Sequence, residues 1–166
     1  MEDLYAGLDV STQGQKIVVV DLEKRSVIYS DSINYDVDLP KYSTLNGVLK
    51  DTEFGVSESN PNMWIDSLHL LFERLKTSSD IIQSIKAISI AGQQHGLVAI
   101  DKDGNLAKPT SKLWNDFSTS EECEILTKQI GGPEKMITEV ANSQRTGYTA
   151  SKIFHMYRNE KELYDN

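Results

Sequence analysis

Alternation of apolar and polar residues dominates the start of the chain. From Tyr5 to Ser11, Leu8 and Val10 share one face while Gly7 and Asp9 share the other, which predicts a strand. Thr12 to Gln15 is a polar turn, and Lys16 to Asp21 is a β-branched second strand. A turn at Glu23 to Arg25 leads to a third strand from Val27 to Asn34, with Val27, Tyr29 and Ile33 as its apolar positions. Short turns between successive strands predict an antiparallel meander. The periodicity is then lost from Tyr35 to Ser59, where Pro40, Gly47 and Gly55 fall among polar residues. That stretch reads as a long excursion over the surface, of the kind that usually carries function or an interface.

Helical spacing follows. Asn60 and Pro61 form a cap and a first helical position, and Trp64, Leu68, Leu71, Phe72 and Leu75 make one apolar stripe. Ser78, Ser79 and Asp80 mark the helix end, and Ile81 to Ser84 suits a short further helical turn. Lys86 to Ala91 is a strand with Ile88 and Ile90 on one side. Coming after a helix, it should run parallel to an earlier strand. Gly92 to Gly96 is a loop at its C-terminal end, and Leu97 to Ile100 is a short strand before the turn at Asp101 to Gly104. Pro109 to Asn115 is extended. Ser118 to Glu121 has capping-box spacing and opens a helix through Cys123, Leu126 and Ile130. Gly131, Gly132 and Pro133 end it and start another through Met136 and Val140; Thr149 caps a last one with Ile153, Phe154 and Tyr157. A meander followed by helix-strand units predicts an α/β layered domain with a mixed sheet.

Composition narrows the partners. A chain of 166 residues, 39% hydrophobic and 25% charged, suits one globular domain. A net charge of -8 repels phosphate backbones and anionic membrane surfaces, so neither nucleic acid nor membrane is an expected partner. No apolar run reaches the length of a membrane span. The acidic Met1-Glu2-Asp3 leads straight into a strand, unlike a signal peptide. A single cysteine, Cys123, cannot form an internal disulfide and points to a reducing cytoplasm. Glu121, Glu122 and Glu124 around it disfavour a thiolate, so it reads as structural. His69 and His155 lie in helices and receive no role.

Three constellations can carry chemistry. The first is Asp9, Ser11, Thr12, Gln13, Gly14 and Lys16: a strand-end carboxylate, donors around a glycine turn, and one cation. Such a turn suits a polyphosphate, and Asp9 could hold a hydrated magnesium ion. From spacing alone, an ordinary hairpin with polar turn residues accounts for it as well. The second is Gln94 and His95, set between Gly92 and Gly96 at the end of a parallel strand, where ligands of α/β sheets gather. An amide beside an imidazole can bind adjacent hydroxyls, although a lone histidine is by default structural. The third is Trp114 to Asp116: an apolar wall for a ring, or a buried Trp before a helix cap.

The first constellation resembles the first phosphate motif of the FGGY carbohydrate kinases. The stretch Ala91 to Gly96 is similar to the sugar-contact motif of xylulokinases, and Trp114-Asn115-Asp116 to another xylulokinase element. Asn34 to Val48 resembles an insertion of the longer xylulokinases, and Gly147 to Ile153 the segment leading into the family's next helix. The resemblance runs from Tyr5 to Tyr164. It implies a ribonuclease-H-like, actin-like α/β fold, here the incomplete first of two domains, with ATP and sugar in the cleft between them. It implies ATP and Mg²⁺ as cofactors, with Asp9 at the metal and the turn Ser11 to Lys16 along the phosphates. Gln94, His95, Trp114 and Asp116 are implied to bind sugar. The implied reaction is phosphorylation of a ketose, D-xylulose first, with ribulose or a non-catalytic sugar-binding role as alternatives, and a homodimer as an open assembly state. The family's general base sits in a Gly-Asp-Asn-like motif that this sequence does not contain.

Overall fold

The computed structural model describes residues 3–78 and 80–165. The readings made on Met1-Glu2 and on Ser79 at the helix end lie outside them. In chain order the strands are β1 Leu4–Val10, β2 Gly14–Asp21, β3 Ser26–Asn34, β4 Thr44–Leu45, β5 Val48–Leu49, β6 Glu58–Ser59, β7 Ile85–Gly92 and β8 Ser111–Lys112. The α-helices are α1 Tyr35–Asp38, α2 Pro61–Ser78, α3 Ser120–Ile130, α4 Pro133–Val140, α5 Thr149–Asn159 and α6 Lys161–Tyr164. They fall into two compact units, one of Met1–Lys50 and Asn60–Gln93, the other of Asp51–Ser59 and Gln94–Asn166.

The first unit is built on a four-stranded sheet in the order β3-β2-β1-β7. β1 to β3 form the expected antiparallel meander, and β7 runs parallel to β1. Leu4, Ala6, Leu8, Ile17, Val19 and Ile33 point from one sheet face into a core closed by Met63, Leu71 and Leu75 of α2. Asn60 caps α2 as expected, its Oδ1 accepting from the Asn62 amide at 2.9 Å. Pro61 is the first helical residue. Two apolar expectations are only half met. Ile88 and Ile90 share a face with the core strands but are 47% and 65% exposed, on a strand at the sheet edge. Val27 is likewise exposed, because the register shift between Val19 and Val20 pairs it with Val20 on the face away from the core.

The excursion after β3 departs most from expectation. Its first part, up to Lys50, is built into the first unit. Tyr35 is fully buried and Leu39 nearly so. Leu45 to Val48 is a tight hairpin in which Asn46 and Gly47 both take positive φ, 54° and 76°. Asp36 holds that turn, accepting from Thr44 Oγ1 at 2.7 Å and from the amides of Asn46 and Gly47 at 2.6 and 3.1 Å. Burial raises the Asp36 pKa, but these bonds outweigh it and leave the carboxyl below its usual range. A β-carbon at Gly47 would overlap the Thr12 carbonyl oxygen. Gly47→Ala is therefore expected to destabilise the chain by roughly 2–4 kcal/mol, from left-handed strain plus the overlap. Urea denaturation measures this, and a loss below about 0.5 kcal/mol would contradict it.

The second unit is mostly helical. β6 pairs antiparallel with β8, so residues before α2 close on the segment before α3. Leu97 to Ile100 makes only isolated bridges, to Lys112 and Leu106, in place of the expected strand. The turn after it is as expected: Asp101 Oδ1 accepts from the amides of Asp103 and Asn105, and Gly104 has φ 85°. Gly131 ends α3 with φ 109°, and its amide and that of Gly132 return to Lys128 and Thr127. The capping box at Ser118 to Glu121 does not form. Thr119 occupies the cap position without a side-chain cap bond, because its hydroxyl meets Ser151 at 2.9 Å. The Ser118 hydroxyl is drawn to Asp116 Oδ1 at 2.6 Å. Tyr148, not Thr149, is the cap residue of α5.

Candidate functional site

The polar turn between β1 and β2 sits on a built foundation within the first unit. Asp9 and Lys16 are register partners across β1 and β2, and both are exposed. Ser11 Oγ donates to Asp9 Oδ2 at 2.9 Å, which orients the carboxylate and leaves Oδ1 available. Lys16 has no ion-pair partner among the described residues. The turn is closed by the Ser11 amide on the Gly14 carbonyl at 2.9 Å. Tyr35 supports it from below, its amide donating to the Gln13 carbonyl at 3.1 Å and its hydroxyl to the Ser11 carbonyl at 3.2 Å. Burial foremost pushes the Tyr35 phenol up to about 12; the Asp9 charge adds to this against a hydrogen bond with Ser67. Ser67 also donates to the buried Gln15 side chain beneath the turn. Gly14 owes its identity to the sheet, since a β-carbon there would overlap the Ile33 carbonyl oxygen of β3.

β1 and β7 end side by side, with Val10 opposite Gly92. The turn after one strand and the loop after the other therefore leave the sheet at the same end. Gln93 joins them: its Oε1 accepts from Thr12 Oγ1 at 3.3 Å, and its Nε2 donates to the Ser11 carbonyl at 3.4 Å. A single exposed carboxylate, a cation and hydroxyls suit a magnesium ion carried by phosphate oxygens and water. Among the described residues no group of three or more His, Cys, Asp or Glu could hold a metal by itself.

In the second unit Gln94, His95 and Trp114 are exposed. His95 has φ 63°, and its ring lies against Tyr148 with centroids 4.6 Å apart. Asp116 differs from its expected role as a direct contact. It is fully buried, and its oxygens accept from the Ser57 amide at 2.9 Å, the Ser118 amide at 3.1 Å and the Ser118 hydroxyl, with Lys112 Nζ at 3.4 Å. Its place is that of an anchor for the loop that presents Trp114. Lys112 is shared with Glu58 at 3.2 Å. Tyr35, Gln93, Tyr148 and Lys152 are site-building residues that sequence patterning does not single out. Gln93 carried a signal in its place beside Gln94, and Tyr35, Tyr148 and Lys152 fall within the stretches Asn34 to Val48 and Gly147 to Ile153 that carry the family resemblance.

The sequence profile of the N-terminal domain of the FGGY family of carbohydrate kinases matches residues 4–166. The chain is 36% identical over 182 residues to a xylulose kinase of Schizosaccharomyces pombe, covering 98% of this chain and 32% of that one. It is 33% identical over 169 residues to a xylulose kinase of Haemophilus influenzae, covering 98% and 31%. The solved structure of a xylulose kinase from Brucella ovis superposes with a TM-score of 0.81 at 25% identity, covering 98% of this chain and 31% of that one. The chain thus spans about a third of the length of the curated relatives it matches. The mixed sheet with its opening meander has the actin-like α/β fold. No helix among the described residues is long and apolar enough to cross a membrane. Matched from residue 4 to residue 166, the chain belongs to the FGGY family of carbohydrate kinases.

Proposed function

We propose that this chain is the incomplete first domain of a longer ATP-dependent kinase that converts D-xylulose to xylulose 5-phosphate. The observation that carries the reading is the shared end of β1 and β7. The turn after Asp9 and the loop residue Gln93 start there, joined by the bonds of Gln93 to Thr12 and Ser11. In the proposed assignment Lys16 and the donors of Ser11, Thr12 and Gln13 hold the nucleotide phosphates, with Gly14 shaping the turn. Asp9 would hold magnesium, which when bound neutralises charge on the phosphates during transfer. Gln94 and His95 would take sugar hydroxyls while Trp114 walls the ring, and Asp116 would act by holding the Trp114 loop.

Positioning and electrostatics carry such a reaction, and the sequence lacks the Gly-Asp-Asn-like motif that carries the family's general base. The 166-residue chain alone is therefore expected to turn over ATP with xylulose at least roughly 1000-fold more slowly than the complete coding sequence. A coupled ATP assay on both proteins, run across a panel of ketoses and polyols, checks this. Ordinary kinase turnover by the chain alone would sink the fragment reading. A preference for ribulose over xylulose would replace the substrate.

A further inference from the structure

The centre of the second unit is a buried cation. Lys152 of α5 has no exposed surface. Its Nζ donates to the His95 carbonyl at 2.7 Å and to the Gly147 carbonyl at 2.5 Å. One side chain thus ties together loops separated by 52 residues of sequence, a connection neither loop could make locally.

Each tied carbonyl belongs to a backbone with little freedom elsewhere. His95 sits at φ 63°, a region that a non-glycine residue occupies only when its surroundings hold it there. Gly147 is pressed against the Trp114 carbonyl oxygen, so that a β-carbon would overlap it. Tyr148, the next residue, is the seat of the His95 ring. The Lys152 head therefore fixes the backbone under His95, the ring beneath it, and the segment that abuts Trp114.

Holding an amine there is costly. Burial, helped by the like charge of Lys112 and opposed by Asp116 and Cys123, depresses the Lys152 pKa to about 8. No carboxylate lies within ion-pair distance of it among the described residues. Its partners are loop carbonyls, and even the neutral amine keeps two N–H groups for the two of them. A lysine kept purely to stabilise the interior would be expected beside an acid.

We propose that Lys152 is a positioning residue for sugar binding, holding the His95 loop in its left-handed conformation against Tyr148 without itself touching the sugar. The proposal rests on the reading of Gln94 and His95 as sugar contacts.

The test is a comparison of wild type, Lys152→Met and Lys152→Gln in the kinase carrying its complete coding sequence, with the sugar that wild type phosphorylates fastest. Met keeps the bulk but removes both donors; Gln keeps two N–H groups without charge. The sugar KM is expected to rise roughly 10- to 100-fold in the Met variant, with an intermediate rise for Gln, while the KM for ATP stays within about twofold. An unchanged sugar KM, or sugar and ATP KM rising together, would overturn the proposal. If the Met variant does not fold, the Gln variant decides: a selective rise in sugar KM supports the proposal, and none overturns it. A wild-type protein that phosphorylates no sugar overturns the kinase reading and the proposal with it. A sugar-active wild type with an unaffected variant overturns the proposal alone.

Discussion

Asp9→Asn, in the kinase carrying its complete coding sequence, is expected to lower kcat by roughly 100- to 1000-fold while leaving the sugar KM within about twofold. The substitution keeps the shape of the side chain and an oxygen to accept from Ser11 Oγ. It removes the negative charge, which is the property a magnesium-holding residue needs. Asp9 is exposed and at a strand end, so the fold should not register the change. A thermal melt alongside the kinetic assay separates the two effects. An unchanged kcat would remove Asp9 from the chemistry. A fall in kcat accompanied by a lowered melting temperature would reassign it to the turn.

Asp116→Ala is expected to act in the opposite way, destabilising the chain by about 3 kcal/mol in urea denaturation. The carboxylate is fully buried and serves the Ser57 amide, both donors of Ser118 and the Lys112 ammonium. Its loss leaves two amides and a hydroxyl without an acceptor, and leaves Lys112 with Glu58 as its remaining carboxylate beside the Ser118 hydroxyl. Asp116→Asn, which retains one accepting oxygen, should lose less. If Asp116→Ala left stability within about 0.5 kcal/mol and still abolished sugar binding, the direct-contact role would be restored. The two aspartates differ most in burial, Asp9 being exposed and Asp116 fully enclosed.

Burial is also where sequence patterning loses its reach. The motif residues Asp9 and Asp116 look alike in sequence, each a carboxylate next to an apolar residue. Their difference arises from what packs over each, and for Asp116 that includes Ser57, 59 residues earlier. The same reason explains the excursion. Its lack of periodicity signals a surface loop, yet Tyr35 inserts fully and supports the polar turn through bonds to Ser11 and Gln13. The Asn46-Gly47 hairpin signal was present, but strands of two residues are too short to show alternation. Lys152 is the extreme case. A lysine in a helix reads as solvated unless the folded chain supplies carbonyls from elsewhere.

Local physics settled the parts of this protein that depend on neighbours in sequence. The β-branched runs and short turns specify the meander, Asn60 and Pro61 start α2, and Gly131 and Gly132 terminate α3 because those preferences act over a few residues. That β7 runs parallel to an earlier strand followed from the helix that precedes it, while the choice of β1 as that strand did not. Tertiary structure decided which polar groups face solvent and which are consumed inside. It hid Asp116, set Gln93 on the turn, and placed an amine under the His95 loop. Those outcomes depend on hydrogen bonds between residues roughly 57 to 82 positions apart, a range over which no local preference operates.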